Sequence, residues 1–531
     1  MDYSLLLSLV PPLVAIVLAL ISKQVIPSLL IGLWAGSFIM EPGILSSISK
    51  TMDYIITTLT SPGNLDVLLF LYAFSGLVAI IELTGGVQGF AKLISKIIKS
   101  KKAALIAILA LTPITFIDCG FRVVSTGSIM KPIIEKKKIS KERFAYMLNN
   151  TASPVVALIP IATTFVGYMV GVVASGLTVA GVQQSPYILY LKSIPFNFFS
   201  IISIIIVFIT IITKIGFKTT NKNTEIAHEK NNNIKVKSND MIGEPRYEDQ
   251  LSVDNNMGFS SNMEISEDIT PSSIDHDPEV NHNNHSNAKM SMDHEMGKID
   301  MNVKPKPWNL IVPIILIIPL SFYLMWWTGK EPGNSILDSI ANAESSRAML
   351  IALFITSFVS LIFYKVQGNS IKQMISQFIK GGNRLMTTIA ILAVAWPIAS
   401  VSKDLGLPQL ITDTIGNALP SYLVPVIIFI LTSVVTFFIG SSWGTWALIM
   451  PLAIPLAAVS GASLPITIGA VFAGGTFGDV SSPLSGMGAM ASGIAEVDHM
   501  DYITTQMPYN ITAAALAALA FLIVPILLYF L

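Results

Sequence analysis

Two aspartates stand inside sequence that is otherwise apolar. Asp118 lies in Phe116-Ile117-Asp118-Cys119-Gly120-Phe121, and Asp479 in Gly474-Gly475-Thr476-Phe477-Gly478-Asp479-Val480-Ser481-Ser482-Pro483. Each has a polar retinue: Ser481, Ser482 and Ser485 follow Asp479, and Asn149, Asn150, Thr151 and Ser153 form a similar set earlier in the chain. Ser441, Ser442 and Thr445 make a third group. Carboxylates, hydroxyls and freed carbonyls are hard oxygen donors, suited to Na+ and poorly suited to soft metals; a carboxylate can equally carry H+. Arg122, four residues after Asp118, falls on the same face if the stretch is helical. It has three readings: an internal Asp118–Arg122 salt bridge, a substitute for a bound cation, or a bidentate holder of a substrate carboxylate. Lys403 and Asp404 are either an interfacial helix end or a coupling pair.

The sequence around these residues is that of a membrane protein. Of 531 residues, 52% are hydrophobic and only 12% charged, about half the roughly 25% of soluble domains. Apolar runs recur near the ~20 residues that cross a bilayer core, among them Leu5–Ile21, Val67–Leu83, Ser200–Ile212, Leu310–Trp327, Ala348–Phe363 and Ile511–Leu531. Met1-Asp2-Tyr3 carries no basic n-region, so the first run is expected to be a retained span. The one cysteine, Cys119, excludes a disulfide framework and a cysteine-rich metal site.

The chain divides in three: residues 1–215, a polar segment 216–307, and 308–531. The middle segment holds 10 Lys/Arg against 16 Asp/Glu, leaving 23 against 17 elsewhere. It has no apolar period and is expected to be a disordered loop. Its His276, His282, His285 and His294, with Met290, Met292, Met296 and Met301, supply metal-binding atom types without a fixed spacing, so no metal site is assigned.

The two apolar parts look alike. Each has an interrupted third span (Leu69–Gly86; Ile389–Gly406), then a polar break (Phe116 to Phe121; Phe438-Ile439-Gly440-Ser441-Ser442-Trp443), then a Ser-Pro break (Ser153-Pro154; Ser482-Pro483). Matches in one order point to a structural repeat. Basic clusters at Lys92–Lys102, Lys131–Arg143 and Lys365–Arg384, against a nearly neutral Thr328–Arg347, place the N-terminus outside and the central loop in the cytoplasm. The third spans then run in opposite directions. The fold expected is an all-α integral membrane protein of two inverted repeats with discontinuous or re-entrant helices, in about 11–13 membrane segments.

Backbone that leaves the helix at membrane depth must be covered by protein or line a cavity, and ionisable groups there are costly and usually functional. No GxxxxGK[ST], HExxH or GxSxG occurs, against a nucleotide-driven pump and against hydrolases. A secondary transporter of the cytoplasmic membrane is expected, needing no cofactor beyond Na+ and H+ as coupling ions. Its partners are the bilayer and a small ion or solute, without nucleic acid; a homodimer is compatible with this reading.

The segments FIDCGFRVVSTGSIMKPIIEKKKISKERFAYMLNNTASPV, AWPIASVSKDLG, GSSWGTWALIMPLAIPLA and GAVFAGGTFGDVSSPLSG, with VDHMDYITTQMPY, resemble the NhaC family of Na+/H+ antiporters. The resemblance covers both apolar parts and implies the inverted-repeat fold with Na+/H+ exchange. Of the candidate site residues Asp118, Arg122, Asn150, Thr151, Ser441, Ser442, Asp479, Ser482 and Ser485, with Lys403 and Asp404 as a possible coupling pair, Asp118, Asp479, Ser482 and Ser485 match the family's motifs. Cys119 stands where the family has a second Asp, Arg122 where it has Asn, Val480 where it has His, and Gly486 where it has Asp. Two other functions fit the same scaffold: transport of a small organic anion or amino acid through Arg122, and a non-transporting sensor.

Overall fold

The computed structural model describes residues 6–95, 98, 100–116, 118–161, 163–213, 304–415 and 419–530. Every regular element among them is a helix, and all fall within one unit formed by both ends of the chain. Residues 216–303 of the polar segment lie outside the described residues, as do its histidines. Helices run to Thr213 and resume at Trp308. Just before the restart, Lys306 N donates to the Gly85 carbonyl (2.9 Å) and Asn309 Nδ2 to that of Thr84 (2.8 Å), fixing the second part against the first.

Among the described residues, seven helices are long and apolar enough to cross a membrane, or nine if the bent pairs Val25–Met40 with Ile44–Leu59 and Pro186–Phe196 with Phe198–Thr213 each count as one span. The shorter apolar helices Leu7–Ser22 and Thr164–Ala180 bring nine to eleven, the lower end of the expected count. Phe208, Phe354, Phe358, Ile362, Ile430 and Phe438 point outward. In water such a surface would drive aggregation, whereas lipid tails solvate it without penalty. Ser442–Ser460 and Pro62–Leu83 are mostly buried, and His499–Leu528 is mostly outward.

The parts interlock reciprocally. Helix Ile44–Leu59 of the first packs on Met386–Asp404 of the second, and Ile371–Arg384 of the second packs on Pro62–Leu83 of the first. Small residues set the latter crossing: a Cβ at Gly381 would stand 2.5 Å from Ala79 Cβ and 2.6 Å from the Ser75 carbonyl. Close backbone approach of this kind is how membrane helices associate without a hydrophobic driving force. Ser75 Oγ uses it to donate to the Gly381 carbonyl at 2.7 Å.

Candidate functional site

Among the described residues, four helix starts at the breaks, two from each part, are each capped by a side-chain oxygen three residues upstream of the amide it accepts from. Asp118 Oδ1 accepts from Phe121 N (2.9 Å) at the start of Cys119–Lys136, and Thr163 Oγ1 from Val166 N (3.1 Å) at Thr164–Ala180. In the second part, Ser441 Oγ accepts from Gly444 N (3.4 Å) at Ser442–Ser460, and Ser485 Oγ from Gly488 N (3.2 Å) at Gly486–Ala495. The caps satisfy donors that no helix can satisfy for itself.

Within each part the two starts meet. Thr164 Oγ1 donates to Asp118 Oδ2 at 2.8 Å. Gly440, at φ 75°, lies so close to the other hairpin that a Cβ would be 2.5 Å from the Leu484 carbonyl oxygen, so only glycine fits.

The parts meet at Asp479. This carboxylate is buried at the last turn of Leu464–Ser481. It accepts a hydrogen bond from Ser153 Oγ across the interface, and Ser442 lies beside the same group. Among the described residues it has no ion pair. Cys119, also buried, stands beside Ser153 and within electrostatic reach of both Asp118 and Asp479.

One residue further on, the Val480 carbonyl, freed where the helix ends, accepts from Asn149 Nδ2 (3.0 Å), Gln506 Nε2 (2.7 Å) and Asn510 Nδ2 (3.3 Å). Gln506 Oε1 in turn takes Asn150 Nδ2 (3.2 Å) and Tyr502 OH (2.6 Å), and Asn150 Oδ1 takes Ser203 Oγ (3.2 Å). This network fixes the orientation of the broken helix carrying Asp479.

The remaining residues of the expected site divide by role. Ser441 and Ser485 are caps; Ser482 Oγ donates to the Phe437 carbonyl (2.5 Å) and accepts from Leu484 N (3.0 Å), shaping its own turn. Thr151 donates to the Met147 carbonyl (2.6 Å). The Asp118–Arg122 salt bridge does not form. Arg122, buried, donates from Nε to the Thr151 carbonyl (2.5 Å), from Nη1 to Thr115 Oγ1 (2.8 Å) and from Nη2 to the Ile108 carbonyl (3.2 Å). Lys403 is exposed, while Asp404 accepts from Tyr54 OH at 2.7 Å. Trp443 and Trp446 pack edge-on against Phe165, and Tyr168 OH donates to the Trp443 carbonyl.

Sequence reasoning passed over Glu82. It pairs with Arg384 (Oε2 to Nη1, 2.9 Å; side chains 12% and 27% exposed), joining Pro62–Leu83 to Ile371–Arg384, and it lies within electrostatic reach of Asp118. Breaking either partner leaves a largely desolvated charge. A double-mutant cycle on Glu82→Gln and Arg384→Gln, read by denaturant unfolding, is therefore expected to show a coupling of about 1–3 kcal/mol. Additive single effects would show that the pair contributes nothing jointly.

Helices broken in both parts, converging on a buried carboxylate that has no cationic partner among the described residues, define a secondary transporter, an integral membrane protein working on a small solute or ion. The chain belongs to the Na+/H+ antiporter family, whose sequence model matches residues 162–526. An uncharacterized protein of Haemophilus influenzae is 25% identical over 534 residues, covering 97% of this chain and 90% of that protein. The malate-2H+/Na+-lactate antiporter of Bacillus subtilis is 29% identical over 177 residues, 33% of this chain and 37% of its own. MtrF of Neisseria gonorrhoeae, whose structure is described as illuminating a class of antimetabolite efflux pumps, superposes with a TM-score of 0.52 at 12% identity, over 90% of this chain and 84% of that one. That likeness is one of fold.

Proposed function

We propose that this protein is a cation/proton antiporter in which Asp479 carries Na+ and H+ in turn, with Asp118 assisting. The observation supporting this most directly is the burial of Asp479 with no cationic partner among the described residues, between Ser153 of one part and Ser442 of the other. A bare carboxylate in that position costs several kcal/mol, so it holds either a proton or a cation at nearly all times. Na+ and H+ then compete for one group, and their exchange across the membrane follows once the group faces each side in turn. We further read the two parts as inverted repeats, with the N-terminus outside, the central segment cytoplasmic and the cytoplasmic membrane as location.

The test is Na+-driven proton movement in proteoliposomes, followed with an internal pH dye. A Na+ gradient is expected to move protons in the opposite direction, and its failure to do so at any pH would remove this reading. A sensor built on the same scaffold would behave differently when residues 220–300 are deleted. The antiporter is expected to retain most of its flux without them.

A second reading, exchange of an organic solute, draws on the Bacillus subtilis relative, whose name includes malate and lactate. In this conformation Arg122 directs all three of its guanidinium nitrogens to protein oxygens, so a solute carboxylate needs another receptor.

A further inference from the structure

A cavity of about 710 Å³ opens beside helix Thr164–Ala180, away from Asp118. Its size is that of a pocket for an organic molecule; a file of bare ions and water requires far less, at about 30 Å³ per water.

The lining carries charges of both signs, Asp66 and Glu344 with Arg347. Three helix N-termini converge on it: Pro62–Leu83 at Ser61, Pro186–Ser193 at Ser185 and Ser345–Val366 at Glu344. None of the three has a side-chain cap hydrogen bond, so each offers free amides and the positive end of its dipole. Arg347 adds a full positive charge, loosely paired with Glu344 at 3.9 Å. Asp66, one turn into Pro62–Leu83, supplies a carboxylate in the same cavity. Deeper, Ser175 Oγ lines the cavity and has no hydrogen-bond partner, in a side chain that is only 9% exposed.

The cavity is connected to the ion site by one helix face. Thr164 (bonded to Asp118), Tyr168 (bonded to the Trp443 carbonyl), Gly171 (whose carbonyl accepts from Trp396 Nε1 at 3.2 Å), Ser175 and Thr178 recur at intervals of four and three residues along Thr164–Ala180. At 1.5 Å per residue, Ser175 lies about 16 Å from Thr164. Trp396 and Tyr168 stand between.

We propose that this cavity binds a small zwitterion, an amino acid-like solute. Its carboxylate is received by the converging helix N-termini and Arg347, its ammonium group by Asp66, and one further polar atom by Ser175. A simple carboxylate is opposed by Asp66 and Glu344, which both line the cavity, and a simple ammonium leaves the N-termini and Arg347 unused. The zwitterion, whose ammonium and carboxylate are themselves adjacent, satisfies both Asp66 and Arg347, which lie within electrostatic reach of one another. The inference rests on the chain being a secondary transporter and not on the assignment of Asp479 as ion carrier.

Thermal unfolding of the purified full-length protein in lipid nanodiscs tests it, with each of the twenty L-amino acids added at millimolar concentration, and acetate and ethylammonium as half-molecules. At least one amino acid is expected to raise the unfolding temperature, with neither half-molecule matching it. Asp66→Asn and Arg347→Gln each weaken that amino acid by about tenfold, and Asp479→Asn leaves its binding intact. Three results would overturn the proposal: no amino acid binds, acetate alone binds as well, or Asp66→Asn and Arg347→Gln bind like the wild type. Binding lost in Asp479→Asn but kept in Asp66→Asn would also overturn it, by moving the solute to the ion site.

Discussion

Proteoliposomes carrying Asp479→Asn are expected to move protons in response to Na+ at below ~1% of the wild-type rate, a loss of about 2.7 kcal/mol or more in the cycle. The substitution keeps the side chain's shape and its ability to accept from Ser153, while removing the charge that either ion must neutralise. Stability should move the other way. Among the described residues Asp479 has no ion pair to lose, and an isosteric neutral group escapes the desolvation cost of a buried carboxylate. Asp479→Asn should therefore unfold at or above the wild-type temperature. Asp479→Glu retains the charge but adds a methylene to a site closed by Ser153 and Ser442, at about 1–3 kcal/mol of overpacking. It is expected to keep a measurable fraction of the flux. Undiminished Na+-driven exchange in Asp479→Asn would mean that another group carries the ions, and Asp118 would be the next to examine by the same assay. Asp118→Asn can still cap its helix, since Asn and Asp rank together at that position, so its effect on transport can be read without a folding defect.

The spans and their breaks were legible because the bilayer makes apolar length and Gly, Ser and Pro interruptions meaningful signals. Asp118 and Asp479 stood out because a carboxylate in such sequence is rare. Of the three readings of Arg122, the salt bridge with Asp118 is not formed, for a specific reason. The four-residue spacing puts it beside Asp118 only if both are helical, but Asp118 is the N-cap, with φ −153° and ψ 147°, and its carboxylate turns to Phe121 N and Thr164. The partners Arg122 does find, at Ile108 and Thr151, are backbone carbonyls, which have no letter in the sequence. The serines read as oxygen donors illustrate the same limit: Ser441 and Ser485 became caps and Ser482 a turn, leaving Ser442 facing Asp479. Val480 was noticed as a residue, whereas its carbonyl is what the network uses. A usable signal did exist there. Tyr502, Gln506 and Asn510 recur every four residues in the last helix, a polar stripe that must face protein. Glu82 was lost because Glu-Leu-Thr-Gly-Gly reads as a helix end at the interface. Only the crossing of Ile371–Arg384 supplies its partner.

Arg122→Ala is expected to be the most destabilising single substitution in the first part. Arg122 is 1% exposed and, among the described residues, has no carboxylate partner, which would be untenable if it lacked other compensation. Its compensation is the ends of helices. Ile108 is in the last turn of Lys101–Ala110, and Thr151 follows the last residue of Lys141–Asn150, so Arg122 takes carbonyls from two C-termini, where dipoles leave partial negative charge. Thr115 Oγ1 completes the set. Interhelical hydrogen bonds in membranes average about 0.6 kcal/mol, whereas bonds to charged groups contribute about 1.5–3 kcal/mol each. Three of them place the loss at about 2–5 kcal/mol. Lys has one ammonium on a flexible stem and cannot reach three separated acceptors in the fork geometry of Arg, so Arg122→Lys should recover only a minor part of that stability. The kinetic signature separates this bracing role from a substrate-binding one. A brace gives Arg122→Lys less folded protein, while the surviving molecules show an unchanged KM for Na+ and for any organic solute. A carboxylate receptor would give the reverse: normal unfolding temperature, and a KM for the solute raised tenfold or more, since losing a charge-assisted contact of about 1.5–3 kcal/mol weakens binding by that factor. Measuring both quantities on one preparation decides between them, and the arrangement of the three carbonyl and hydroxyl oxygens around Arg122 leads us to expect the first.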